Sequence, residues 1–136
     1  MRRLIGTLAL ATVVAGMAAL PAGAWLSTPD GRVLCKLDVR HTVAVCSKPY
    51  MARKNGTYLT AVIRPRGKAT IRYSRPWWGP TYYKTMRRGW DYSIRSRQHG
   101  VWHKVITCSL VDHGGVLCQN LDTHTFTLGR GVQRTF

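Results

Sequence analysis

The sequence predicts a small all-β fold, a disulfide-stapled antiparallel sandwich or barrel, on three observations. Apolar residues after residue 24 alternate with polar ones, and no segment keeps a helical period. Turn signals such as Pro29-Asp30-Gly31, Asn55-Gly56 and His113-Gly114-Gly115 punctuate the chain about every ten residues. Four cysteines fall into two pairs, with ten residues between Cys35 and Cys46 and nine between Cys108 and Cys118.

Residues 1–24 read as a leader, separate from the fold. Arg2 and Arg3 give a positive start, Leu4 to Leu20 is an apolar and small-residue run, and Ala22-Gly23-Ala24 supplies an A-x-A pattern. That is the signature of a secretory signal peptide, cleaved after Ala24. The run is short for a membrane anchor, which needs about 20 apolar residues. The remainder, 25–136, is expected to form one domain, secreted or held at the cell envelope.

Pro29-Asp30-Gly31 opens that domain as a turn, because Pro fixes φ, Asp bonds locally and Gly accepts positive φ. Arg32 to Val39 and Thr42 to Ser47 read as a hairpin, with Arg40-His41 as its loop. Thr57 to Ile63 and Ala69 to Ser74 are β-branched and aromatic runs, parted by Pro65 and Gly67. Pro76 and Pro80 bar a regular helix or central strand, so 75–91 reads as a long exposed loop. Tyr92 to Arg97 and Val101 to Val111 follow as strands around a turn at Gln98-His99-Gly100. Val116 to Leu121 and Thr123 to Leu128 complete the pattern.

An exported chain of this size with four cysteines implies two disulfides, for which three connectivities exist. The hairpin registers set Cys35 opposite Cys46 and Cys108 opposite Cys118, bonds that are geometrically plausible where the Cβ directions agree, with Cys35–Cys118 and Cys46–Cys108 as the open rival. Zinc prefers tighter pairs such as C-x₂₋₄-C, and no metal or other cofactor is expected.

The charge balance is lopsided. The formal net charge is +16, with 21 Lys and Arg against five acids, all Asp. Intramolecular pairing cannot neutralise that excess, so much of the positive field must face water or a partner. It concentrates in a basic aromatic insert at 64–104: Arg64, Arg66, Lys68, Arg72, Arg75, Lys84, Arg87, Arg88, Arg95, Arg97 and Lys104, against Asp91 alone. Interleaved are Tyr73, Trp77, Trp78, Tyr82, Tyr83, Trp90, Tyr92 and Trp102. Cations with π-faces between them suit an anionic polymer, nucleic acid or a cell-wall polyanion, whose bases or sugars would stack on the rings. Arg outnumbers Lys, which favours phosphate, because the guanidinium fork grips it bidentately. Among the rings, Trp77, Trp78, Tyr82 and Tyr83 are expected on the exposed loop. Tyr73, Trp102 and Tyr92 lie in strand-like runs and are expected in the core.

The two cysteine hairpins carry a resemblance. Trp25, Ser27, Pro29, Gly31, Val33 and Cys35 at one end are similar to the start of a secreted actinobacterial domain-of-unknown-function family, number 6636. At the other end Cys108, Ser109, Gly115, Val116, Cys118, Asn120, His124, Phe126, Leu128 and Arg130 match its closing block. The resemblance implies export and a small disulfide β fold, and no activity. The family's middle cysteine pair is missing here, and the basic aromatic stretch stands in its place.

Two other function classes compete. A small secreted ribonuclease would need a His pair, or a His with a carboxylate, and His41, His99, His103, His113 and His124 are available. Glu is absent and no paired-carboxylate or G-x-S-x-G motif occurs, so an enzyme is the minor expectation. Cations with Trp also suit an anionic membrane surface, although no amphipathic helix is visible.

Overall fold

A computed structural model describes residues 12–15, 18–20, 24–77, 82–129 and 132–136, and its regular structure is strand apart from one 3-10 turn at Asp112–Gly114. The strands are β1 (Thr12–Ala15), β2 (Ala18–Leu20), β3 (Ala24–Ser27), β4 (Leu34–Asp38), β5 (Val43–Ala52), β6 (Tyr58–Ile63) and β7 (Thr70–Ser74). They continue with β8 (Lys84–Thr85), β9 (Asp91–Gln98), β10 (Val101–Val111), β11 (Gly115–Asn120), β12 (Thr125–Gly129) and β13 (Val132–Thr135). One sheet has the order β13-β12-β11-β10-β9-β1-β2, the other β7-β6-β5-β4-β3-β8. Every pairing is antiparallel except the short β3–β8 pair.

The sheets pack face to face: β5 and β6 against β12, β6 against β11, β7 against β13, and β4 against β9. Period-two alternation sorts the side chains. Leu26, Cys35, Leu37, Cys46, Ala61 and Ile63 point inward from one sheet, and Tyr92, Ile94, Ile106, Cys108, Cys118, Phe126 and Leu128 from the other. The sequence-predicted sandwich is therefore the observed fold. Its disulfides are Cys35–Cys46 and Cys108–Cys118, joining directly opposed residues with Cα separations of 4.1 and 4.0 Å. Each lies inside the core. Two cross-linked hairpins point to an oxidising environment outside the cytoplasm.

Turn chemistry follows the sequence where Gly supplies a left-handed backbone. Gly31 has φ 70° and donates its N–H to the Thr28 carbonyl, closing the Pro-Asp-Gly turn. A different constraint acts at Gly129. A Cβ there would sit 2.7 Å from the Gly115 Cα, so β11 and β12 close on each other only because both positions are bare.

Three expectations need correction. Segment 75–91 is not one exposed loop: it contains β8 and the buried Met86. Trp25-Leu26-Ser27 belongs to β3, and the C-terminal β13 has no counterpart in the sequence reading. Within the expected leader, Thr12–Ala15 and Ala18–Leu20 join the first sheet as β1 and β2 beside β9, and the rest, apart from Ala24, lies outside the described residues. Ala24 itself is buried and pairs with Leu37.

Two buried polar groups join the sheets. Asn120 donates from Nδ2 to the carbonyls of Arg64 (2.9 Å) and Gly67 (2.7 Å), and its Oδ1 accepts the N–H groups of Asp122 and His124, both at 3.0 Å. Leu121 N–H adds a bond to the Pro65 carbonyl at 3.1 Å. Asp122 completes the seam: its carboxylate accepts Gly67 N–H at 2.8 Å and the Arg66 guanidinium at 2.9 Å. The Gly67 bond leads in holding the Asp122 carboxyl below the usual range, against some desolvation, with Arg66 adding its charge. Lys48 is the second group. Fully buried, it donates from Nζ to Gln133 Oε1 at 3.1 Å, across the sheets, and burial lowers its pKa.

Asn120→Ala would strand two carbonyls and two N–H groups, so it should lower stability by about 2–4 kcal/mol in urea denaturation. Lys48 yields a pH test. Its folded pKa lies below its unfolded one, so the unfolded chain binds the proton more readily and stability rises as pH climbs from the folded value to about 10.4. Lys48→Met should raise the melting temperature at neutral pH. The gap to the native protein should narrow as that window is crossed, a difference that thermal melts at stepped pH will read.

Candidate polyanion-binding surface

Polarity along the strands gives the sandwich two unlike ends. At one end lie the β3–β4 turn and the β10–β11 turn, where Gly114 approaches the Asp30 carboxylate. Strand direction puts Asp91, opposite Ser109, and Asp112 there too. Three of the five acids thus share this end. At the other end lie the β4–β5 turn, the β6–β7 turn and the β11–β12 turn, the last two tied together by Asn120. The β9–β10 hairpin reaches the same end and runs past it.

That overrun follows from register. β11 stops at Asn120, opposite Ile106, and among the described residues β1 pairs with β9 over Tyr92–Arg95. Ser96 to His103 therefore extends as a two-stranded arm with no strand on either side among the described residues. Its turn is His99-Gly100, with φ of 51° and 79°, the left-handed pair of a two-residue hairpin whose twist matches the strands. A β-bulge between Lys104 and Ile106 tucks both Val105 and Ile106 into the core and marks the arm's base.

Arg64, Arg66, Lys68, Arg97 and Lys104 at this end are exposed, as is Arg40 in the β4–β5 turn, and Arg95 is half-buried. Facing them are Asp38 and Asp122. Asp122 is engaged by Arg66, and Asp38 lies 3.6 Å from Lys36 and 2.9 Å from His41 Nδ1. Burial pushes the Asp38 carboxyl up, but the His41 hydrogen bonds and the Lys36 charge outweigh it and hold the pKa low. The His41–Asp38 pair braces its own turn, and among the described residues no three His, Cys, Asp or Glu side chains converge as a metal site would require.

The remaining expected site residues fall elsewhere. Arg72 and Arg75 are exposed on and just after β7, an edge strand, where Tyr73 carries the Arg53 guanidinium 3.3 Å from its ring centroid. Arg87 and Arg88 are exposed towards the acidic end: Arg88 pairs with Asp112 at 2.8 Å, and Arg87 N–H donates to the buried Tyr92 hydroxyl at 2.9 Å. Lys84 is half-buried in β8, and Trp78 lies outside the described residues.

The aromatic loop is the largest departure from expectation. β7 and β8 occupy opposite edges of their sheet, and Trp77, shortly after β7, lies over the outer face between them. It is anchored there. Its ring stacks on Trp25 of β3 at 5.6 Å, and its Nε1–H donates to Ser47 Oγ of β5 at 2.6 Å. Ser47 in turn bonds Thr60, which accepts from Ser74, so the indole completes a hydroxyl chain across three strands. Tyr83 meets Trp25 edge-on at 5.7 Å, and burial raises its pKa. Trp77 and Tyr83 are thus half-buried where exposure was expected, because Trp25 and Ser47 offer them a partner. Tyr82 is 84 % exposed, as expected of the loop.

The expectation for the strand aromatics divides. Tyr92 is fully buried, but Tyr73 is 37 % and Trp102 40 % exposed. Trp102 shares its face with Arg95 and Arg97, the face turned away from the core-facing Tyr92 and Ile94, because the bulge after Lys104 puts it out of phase with Ile106 and Cys108. Arg40 is the residue this end adds to the basic aromatic stretch, and Trp102 moves from expected core to exposed surface.

No family model, curated protein or solved structure matches the chain.

Trp77→Ala should destabilise the protein by about 2 kcal/mol, through lost stacking and the stranded Ser47 hydroxyl, while leaving polyanion affinity near the native value. Denaturant melts and oligonucleotide titrations on the same variant separate the two effects.

Proposed function

We propose that this chain is an exported protein that binds anionic polymers, nucleic acid or a cell-envelope polyanion, through the cationic end of its sandwich. The carrying observation is the placement of Arg40, Arg64, Arg66, Lys68, Arg95, Arg97 and Lys104 at one end, against Asp38 and Asp122. Both acids are already engaged by neighbouring cations, so the field of the others is left for a ligand. A polyanion meeting it releases condensed counterions, which supplies affinity without base-specific contacts. Export is supported by the leader-like first 24 residues and by the two disulfides. The resemblance at the cysteine hairpins points the same way.

Affinity for single-stranded DNA should fall linearly as log salt rises, with a slope of about −3 to −5 if five to seven phosphates are neutralised. Arg64→Glu with Lys68→Glu should flatten that slope and weaken binding at least about tenfold at low salt. Lys54→Glu with Arg88→Glu, away from the cationic end, should do much less. A flat salt response in the native protein, or equal losses from the two pairs, overturns the proposal.

A further inference from the structure

We propose that one face of the β9–β10 arm is a base-stacking site for single-stranded nucleic acid, with Trp102 as the platform and Arg95, Arg97 and Lys104 as its phosphate contacts. This rests on the polyanion reading above and names its ligand class.

Register alone sorts the arm. Trp102 is paired with Arg97 and Lys104 with Arg95, and opposed residues of antiparallel strands share a face. Two-residue alternation then puts all four on one side. The other side carries Ser96, Gln98, Val101 and His103. A hairpin built only to be soluble would mix its charges over both faces. This one gathers three cations around one ring and leaves the reverse face without Lys, Arg, Asp or Glu.

The arrangement also works against the fold. Arg95 and Lys104 are like charges directly opposite each other, a pairing that destabilises a sheet unless something neutralises it. The ion pairs among the described residues use Arg32, Lys36, His41, Arg66 and Arg88, and none of the arm's cations. Phosphate oxygens between the Arg95 and Lys104 head groups would offset the repulsion.

The ring decides between polyanions. A phosphodiester chain without bases gains only from the cations. One with unpaired bases gains from Trp102 too, since every base has a π-face. Trp77 cannot serve in this way, because it stacks on Trp25 and bonds Ser47. A duplex keeps its base faces covered and would use charge alone.

The test is a titration of the full protein with a labelled thymidine oligomer of about 20 nucleotides, an abasic oligomer of the same length, and a duplex. The native protein should prefer the thymidine oligomer to the abasic one. Trp102→Ala should cut that preference at least about fivefold and leave abasic binding unchanged, while Trp102→Phe retains most of it. Arg97→Ala with Lys104→Ala should weaken both single strands together. An unchanged preference in Trp102→Ala, none in the native protein, or duplex binding as tight as single-strand binding overturns the stacking site while salt-dependent binding persists. If the native protein binds none of the three, the polyanion reading fails with it.

Discussion

Asn120 is the joint on which the arrangement of this molecule depends. A buried amide can make four hydrogen bonds, and this one makes them all, two to each of two turns from different sheets. The Arg64 and Gly67 carbonyls find no partner within their own turn among the bonds described, and part-buried groups left unpaired are costly. Asn120 removes that cost and fixes the spacing of the two layers at this end. The cations of the 64–68 turn are thereby held next to the base of the β9–β10 arm. A structural residue thus sets the geometry of the surface without belonging to it.

The aromatic residues divide according to what each strand could cover. Trp25 lies on the outer face of a sheet, between the buried Ala24 and Leu26, and would leave a large ring in water. Trp77 and Tyr83 cover it, with Lys36 Nζ 5.0 Å from its ring centroid. Those rings are engaged on the outer face of the sheet. Trp102 stays 40 % exposed because the bulge turns it to the outer face of an arm that outruns β11 among the described residues. Local sequence around the two tryptophans suggests the reverse, with Trp77 between Pro76 and Gly79 and Trp102 in a β-branched run. Tertiary placement overrides it.

The strand pattern and the cysteine pairing were legible because both are short-range. Alternation sets which face is buried, and the hairpin registers set Cys35 opposite Cys46 and Cys108 opposite Cys118, with the crossed pairing excluded only by the structure. Long-range relations were not legible. Nothing next to Trp77 or Tyr83 in the sequence tells that Trp25 and Ser47 lie within reach, and so both rings read as free when they are anchored. The C-terminal strand was missed for a related reason, as its Val132-Gln133-Arg134-Thr135 gains its place only from β12. The concentration of charge in 64–104 was plain in the sequence. The division of that charge between the two ends, with Arg87 and Arg88 facing acids and Arg95 and Arg97 facing none, required the strand directions.

Both covalent cross-links lie within a layer, and neither crosses from one to the other. With all four cysteines so committed, the plane between the layers is held by apolar contact and by hydrogen bonds, chiefly those of Asn120, Leu121 and Asp122 to the 64–67 turn. Under shear or mechanical load, the layers would part along that plane as intact, cross-linked leaves long before either leaf unravelled.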